Sequence, residues 1–183
     1  MFSLQGNFLV ASPHLSDGNF FRSVVLMIKH DAEGAFGVVL NRPTASTVQE
    51  VWKLVTEEPI ASKKPVYYGG PVTGPLIALH RLKSQAEAEI FPGVYFSAHK
   101  DQLTKIVRQN RKPFRLFTGY SGWAAGQLED EMQVGGWLTT PATPEMVFYK
   151  QDNIWELVAN CIGLDILSAG VKTKHIPEDP ALN

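Results

Sequence analysis

Residues 23–40, SVVLMIKHDAEGAFGVVL, decide the class of fold. The apolar run over residues 24–28 is continuous rather than alternating, which is typical of a strand that is covered on both faces. Residues 31–34 form a turn, and residues 35–40 predict a second strand that returns beside the first as a hairpin. Because this hairpin is antiparallel and the later strands and helices alternate only partly, we expect an α/β fold of the α+β kind, with a mixed sheet and flanking helices.

Outside the hairpin, short strands and amphipathic helices follow one another along the chain. Thr47 with Glu50 three residues later is a capping-box pattern, which predicts a helix that ends near residue 55. We interpret residues 1–183 as a single compact domain in which residues 168–183, with two prolines and many charges, form an extended C-terminal tail. The remaining predictions are strands over residues 8–11, 66–68, 76–80, 94–97, 114–118 and 137–139, a loop over 81–90, and helices over 101–110, 126–134 and 154–167.

Composition and charge exclude several classes of protein. The 183 residues are 44% apolar and 19% charged, which rules out a disordered, collagen-like or coiled-coil chain. The formal net charge of −1 gives no whole-protein basic field for nucleic acid or anionic lipid. Cys161 is the single cysteine, so an internal disulfide is excluded, and we expect this side chain in the core. Together with an N-terminus unlike a signal peptide, these features predict a cytoplasmic protein with no membrane partner.

The segment GYSGW at residues 119–123 suggests one catalytic hypothesis. It lies between a predicted strand and a predicted helix, as the nucleophile elbow of α/β-hydrolases does, and Asp165 and His175 follow Ser121 in the order of such a triad. The elbow requires a small residue where this chain has Trp123, so the match fails in detail. The alternative is a turn in which the Ser121 hydroxyl bonds nearby backbone. A hydrolase-like or small-molecule-binding activity around Ser121 and Gln127 therefore stays open, and no catalytic residue is assigned.

One basic cluster stands out against the neutral total. It has two interpretations: a solvated face at the C-terminus of a helix, or a small phosphate-binding patch that gives weak, sequence-indifferent nucleic-acid binding. No nucleic-acid-binding motif accompanies the cluster, so the sequence gives no strong indication of nucleic-acid binding. The cluster consists of Lys105, Arg108, Arg111, Lys112 and Arg115.

The five histidines have no short metal-ligand spacing, so neither a metal nor a cofactor is predicted.

A series of short motifs in a fixed order adds a resemblance to these inferences. The chain resembles the bacterial YqgE/AlgH family over essentially its whole length. The resemblance implies a compact α/β domain with a bulged, coiled sheet. It brings no catalytic residues, and some family members carry the label of transcriptional regulator. The motifs are LQG at residues 4–6, FLVASP at 8–13, FFRSVV at 20–25, His30, GAFGVVLNRP at 34–43, GGPV at 69–72, GYSGW at 119–123, GQLE at 126–129 with Glu131, GW at 136–137 and DPALN at 179–183.

The polar residues of these motifs are the candidate ligand-binding residues. We expect them to line one groove. The leading interpretation is a non-enzymatic regulatory or interaction protein that acts through an unknown protein partner or a small ligand. The candidate residues are Asn41, Arg42, Gly70, Ser121, Trp123, Gln127 and Glu129.

Overall fold

Two β-sheets carry the fold, and the hairpin of residues 23–40 lies in the first of them. The computed structural model describes residues 3–15, 17–56, 59–109, 112–149 and 153–172. The first sheet is antiparallel, with strand order β10-β3-β2-β1-β11. Its strands are β1 (Asn7–Ala11), β2 (Val24–Asp31), β3 (Gly34–Val39), β10 (Ser121–Ala124) and β11 (Trp137–Pro141).

The second sheet is mixed. Its strand order is β4-β5-β9-β6-β8-β7, in which β5 and β9 are parallel and the other neighbours are antiparallel. Register shifts in the β2–β3, β4–β5 and β7–β8 pairs are the bulges that the resemblance implies. The α/β prediction with mixed sheets is therefore confirmed. The strands are β4 (Pro43–Thr47), β5 (Pro65–Tyr68), β6 (Ile77–His80), β7 (Ala88–Phe91), β8 (Val94–Ser97) and β9 (Phe114–Thr118).

Helices cover the outer faces of both sheets. The core between the sheets takes Val24 and Leu26, whereas Val25 and Met27 face the outer side of the first sheet. This two-sided burial is why residues 24–28 are apolar without alternation. The helices are α1 (Val48–Val55) and α2 (Lys100–Arg108) on the second sheet, α3 (Gln127–Gln133) on the first, and α4 (Pro144–Val147) and α5 (Ile154–Lys172) beside the central core; Lys83–Gln85 forms a 3-10 turn.

The predicted capping box at the start of α1 is confirmed. The Thr47 side chain accepts a hydrogen bond from the Glu50 amide at 3.3 Å, and the Glu50 carboxylate accepts one from the Thr47 amide at 2.7 Å. Val48 and Trp52 then turn toward the outer face of the second sheet. The helix therefore starts where its first free amides find side-chain acceptors.

Several predicted boundaries are wrong, and the errors have a common physical source. Strand β7 overlaps the predicted loop 81–90, and β4 was not predicted. Both are edge strands with few buried side chains, so neither shows an apolar pattern. Residues 121–124 form strand β10 rather than a turn.

The last helix is longer than predicted. It reaches Lys172, so residues 168–172 of the predicted tail are helical, and residues 173–183 lie outside the described residues. Cys161 is exposed, because the buried stripe of α5 runs along Ile154, Val158 and Ile162.

Candidate functional site

Ser121 and Gly70 form a close internal contact. The Ser121 side chain is 0% exposed, and its hydroxyl donates to the Gly69 carbonyl at 3.1 Å. Gly70 has φ of 147°, and a Cβ there would collide with the Ser121 hydroxyl and the Tyr120 backbone. The Ser121 hydroxyl is therefore a buried group that bonds nearby backbone, which favours the structural interpretation over that of a nucleophile. The side chain of Asp165 and the whole of His175 lie outside the described residues.

Trp123 and Gln127 belong to a second network, centred on Glu131. One Glu131 carboxylate oxygen accepts the indole N–H of Trp123 at 3.0 Å and that of Trp137 at 2.8 Å. The other accepts the Gln127 side-chain amide at 3.0 Å, and Gln127 in turn accepts the Ala124 amide at 3.0 Å. These bonds attach α3 to the outer face of the first sheet. The segments GYSGW at residues 119–123 and GQLE at residues 126–129 therefore have a structural role: their side chains help to hold α3 on the sheet.

Glu129 lies on the same helix but binds a different partner. Its carboxylate accepts a hydrogen bond from Nε2 of the buried His30 at 2.9 Å, while His30 Nδ1 accepts the Leu4 amide at 3.0 Å. A hydrogen bond from its own backbone amide, and the bond with His30, hold the pKa of the Glu129 carboxyl below its usual range. Glu129 therefore joins α3 to β2, and through His30 to the N-terminal segment.

Asn41 and Arg42 hold the loop that precedes β2. The Asn41 side chain accepts the Val24 amide at 3.0 Å and donates to the Arg22 carbonyl at 2.8 Å, and the Arg42 guanidinium donates to the Phe21 carbonyl. Arg22 sits in the left-handed region with φ of 52°. We call the exposed pair that these bonds support the Phe21–Arg22 platform.

The Phe21–Arg22 platform has a defined geometry. Phe21 is 49% exposed. The Arg22 guanidinium carbon lies 5.5 Å from the centre of the Phe21 ring and 5.2 Å from that of Trp155. Trp155 is fixed in turn, because its indole N–H donates to the Ala11 carbonyl at 2.9 Å. Two aromatic rings thus orient a cation at the surface.

The structure does not bring the seven candidate residues together in one groove. They fall into separate networks: the Gly70–Ser121 contact, the side chains around α3, and the Asn41–Arg42 support of the loop. Sequence reasoning missed Phe21, Arg22 and Trp155 as a surface feature. The FFRS motif at residues 20–23 was the available signal, but only the fold shows that Asn41 and Arg42 meet it.

The basic cluster is divided between surface and interior. Lys105, Arg108 and Lys112 are exposed, and Arg111 lies outside the described residues. Arg115 is only 8% exposed, which corrects its assignment to a surface patch. Alternation along β9 turns it to the side of Phe117, between the sheets.

Interior groups bind the guanidinium of the buried Arg115. Its guanidinium donates to the Leu40 carbonyl at 2.8 Å and to the Tyr149 carbonyl, and lies 4.8 Å from the centre of the Tyr67 ring. Burial lowers the pKa of this guanidinium, which nevertheless stays protonated. Arg115 therefore links β9, the end of β3 and the segment before α5.

The described residues contain neither a membrane-spanning helix nor a cluster of metal-binding side chains. No helix there is long and apolar enough to cross a membrane. Within the same part of the chain, no three histidine, cysteine, aspartate or glutamate residues are grouped so that they could hold a metal ion.

Comparison with known proteins gives the sequence relatives of this fold. The family described as AlgH-like matches residues 8–167. A UPF0301 protein of Chlorobium limicola is 40% identical over 151 residues, which span 78% of this chain and 78% of that protein. A UPF0301 protein of Thioalkalivibrio sulfidiphilus is 36% identical over 166 residues, which span 87% of this chain and 89% of that protein.

Two solved structures share the architecture. The solution structure of the AlgH protein from Pseudomonas aeruginosa matches with a TM-score of 0.74 and 30% identity, and covers 96% of both chains. The crystal structure of a Corynebacterium diphtheriae protein matches with a TM-score of 0.70 and 25% identity, and covers 86% of both chains. The two-sheet arrangement is thus common to proteins of distinct bacteria.

Proposed function

The chain belongs to the AlgH-like family, and on that premise we propose that it is a non-enzymatic, regulatory interaction protein that binds an acidic segment of a protein partner at the Phe21–Arg22 platform. The observation that carries this proposal is an exposed phenylalanine and an exposed arginine held side by side by Asn41, Arg42 and Trp155. The cytoplasm is the proposed location, which the single cysteine favours.

The backbone of the platform adopts a conformation that an unsupported arginine avoids. The left-handed conformation costs a residue with a Cβ about 1–2 kcal/mol. Asn41 and Arg42 offset this cost, because each bonds one carbonyl of the loop. Strain that neighbouring side chains hold in place concentrates at binding and switch sites. The conformation of the platform is therefore fixed before a partner binds, as in a preorganised binding surface.

The chemistry of the platform defines the chemistry of its partner. Among the described residues, no acidic side chain forms an ion pair with Arg22. Stacking against Phe21 and Trp155 leaves the N–H edge of the guanidinium free to bond both oxygens of a carboxylate. Phe21 adds apolar area next to that charge, and aromatic and arginine side chains carry much of the binding energy of interfaces. A segment with a carboxylate beside an apolar side chain complements both.

The test uses a labelled synthetic peptide that alternates glutamate with leucine, and a matched peptide in which lysine replaces glutamate. Fluorescence anisotropy should show binding of the acidic peptide and none of the basic one. Arg22→Ala and Phe21→Ala should each weaken that binding about tenfold.

Two control variants separate the platform from general surface effects. Leu54→Ala removes an apolar side chain that is 89% exposed on α1, and Arg81→Ala removes an exposed cation elsewhere. Both should keep the affinity within about a factor of two, because distant sites act independently. Failure of the acidic peptide to bind, or an equal loss in either control, would refute the proposal.

A further inference from the structure

A second surface feature lies at one end of strands β6, β8 and β9 of the second sheet. It is an open groove of about 420 Å³ between the β6–β8 region and the segment that follows α2. We call it the Arg81–Lys112 groove; its lining consists of Arg81, Lys83, Gly93, Tyr95, Lys112 and Pro113. We propose that this groove binds a small phosphorylated ligand, whose phosphate is held by Arg81, Lys83 and Lys112. The proposal does not depend on the proposed function.

The charge of the groove is the first support. Of the lining residues that the structure describes, three are cationic and none is acidic, in a protein whose formal net charge is −1. Arg81 approaches Glu145 only at 3.9 Å, with both side chains exposed. Within the described ranges, no ion pair involves Lys83 or Lys112. Lys83 and Lys112, with no ion pair among the described residues, and Arg81, with only the long 3.9 Å pair, line the same concave surface and favour a compact anion with several oxygens, such as a phosphate.

The turn that carries Arg81 and Lys83 is fixed from below. His80 Nδ1 accepts the Leu82 amide at 3.2 Å, and His80 Nε2 lies 3.0 Å from the Ser97 hydroxyl. That hydroxyl lies 2.6 Å from the Gln85 carbonyl, which it bonds as donor. Because Nδ1 accepts a hydrogen bond, Nε2 carries the hydrogen of the neutral ring. This buried, uncharged network thus fixes the backbone from which the Arg81 and Lys83 side chains extend.

The position of Lys112 is fixed by a different device. The Gln109 side-chain amide donates to the Ile106 carbonyl at 3.1 Å and to the Lys112 carbonyl at 3.2 Å, while its oxygen accepts the Lys112 amide at 2.9 Å. Gln109 therefore ties the backbone of Lys112 to the end of α2. A binding site whose backbone is ordered in advance loses less entropy when the ligand arrives.

The shape of the groove favours a small ligand over a polymer. Its volume lies within the range of about 300–1,000 Å³ that small-molecule sites occupy. Tyr95 lines the groove, is 8% exposed, and has its ring tilted against that of His80 with ring centres 6.0 Å apart. Lys105 and Arg108 on α2 do not line the groove, and Arg115 lies between the sheets. Among the described residues, the basic side chains of the cluster therefore form no continuous track for a nucleic-acid backbone.

The test is a titration of the full-length protein with inorganic pyrophosphate at low ionic strength, followed by backbone amide NMR. The amide signals of Gly93 and Tyr95 should shift and saturate. The double variant Lys83→Ala/Lys112→Ala should weaken binding about tenfold, because each of the two exposed charged contacts contributes a factor of about three. The matched control Lys53→Ala/Lys105→Ala removes two exposed lysines from helices and should change the affinity by less than about a factor of two.

Other outcomes would overturn the proposal. No saturating shift at about 10 mM pyrophosphate would exclude a site of useful affinity. Shifts that centre on Lys105 and Arg108, or equal losses in the control variant, would assign anion binding to the surface of α2. Tighter binding of a duplex oligonucleotide that persists in Lys83→Ala/Lys112→Ala would favour the nucleic-acid interpretation of the basic cluster. The Arg22→Ala variant should bind pyrophosphate normally, which separates this test from that of the platform.

Discussion

Acidification should destabilise this protein through His80 before its carboxylates titrate. His80 is fully buried, and burial lowers the pKa of its imidazole from the ordinary 6.5 to about 4, while Glu87 opposes part of that shift. Its Nδ1 accepts the Leu82 amide, so protonation there would also remove that bond. The folded protein therefore keeps this ring neutral in conditions where the unfolded chain protonates it.

The size of the effect follows from the two pKa values. Between pH 6.5 and 4 the unfolded chain binds a proton that the folded protein does not, so the free energy of unfolding falls as pH falls. From pH 7 to pH 5 the loss due to His80 amounts to about 2 kcal/mol. The carboxyl groups of Glu50 and Glu129, whose pKa values are lowered, contribute their losses only further down, below about pH 4.5.

The assay is urea unfolding at pH 7 and pH 5, followed by the fluorescence of the four tryptophans. The His80→Leu variant removes the titrating ring, so its stability should change about 2 kcal/mol less between the two pH values than that of the wild type. It should also be about 1–3 kcal/mol less stable at pH 7, because the Leu82 amide loses its acceptor. His14→Gln changes an exposed histidine and should keep the wild-type pH dependence. An unchanged pH dependence in His80→Leu would refute the reasoning.

Three further predictions concern stability and are measured by urea or thermal unfolding. Gly70→Ala should cost at least about 3 kcal/mol or prevent folding, because its Cβ collides with backbone, whereas Gly126→Ala has open space and should cost only about 1 kcal/mol. Glu131→Ala should cost about 2–4 kcal/mol and shift the tryptophan emission to the red, because it leaves two indole N–H groups without their acceptor; the exposed Glu33→Ala should do neither. Thr47→Ala should cost about 1 kcal/mol through loss of the helix cap, and a neutral result would show that the capping box is not stabilising.

The elements predicted correctly from sequence are those in which local physics and burial agree. The continuous apolar run of residues 24–28 predicted a strand with two covered faces, and β2 packs against both the central core and the outer cluster. The Thr47–Glu50 pair predicted the start of α1 because a capping box needs only four residues. β4 and β7 were missed because an edge strand is defined by its hydrogen-bonded neighbour, which a polar sequence such as that of Pro43–Thr47 does not reveal.

The basic cluster shows why proximity in sequence did not predict a site. Arg115 follows Lys112 closely, but strand alternation turns it between the sheets, where it bonds carbonyls of distant segments. Lys112 instead lines a groove together with Arg81 and Lys83, which belong to another part of the chain. No local spacing connects these three cations, so the groove they line could only emerge from the packing of the second sheet.

The motif residues and the proposed binding residues serve different purposes, and this difference has an experimental consequence. Ser121, Gln127 and Glu131 satisfy buried or partly buried polar groups, so changing them removes hydrogen bonds on which the packing of the first sheet depends. A loss of activity in such variants would report unfolding rather than a lost contact with a ligand. The side chains of Arg22, Lys83 and Lys112 form no ion pair in the part of the chain that the structure describes, so we expect their removal to leave the fold intact, with only the ring contacts of Arg22 lost. Only variants of this second kind can separate binding from stability. Apart from Arg22, the residues they change lie outside the motifs on which the family resemblance rests.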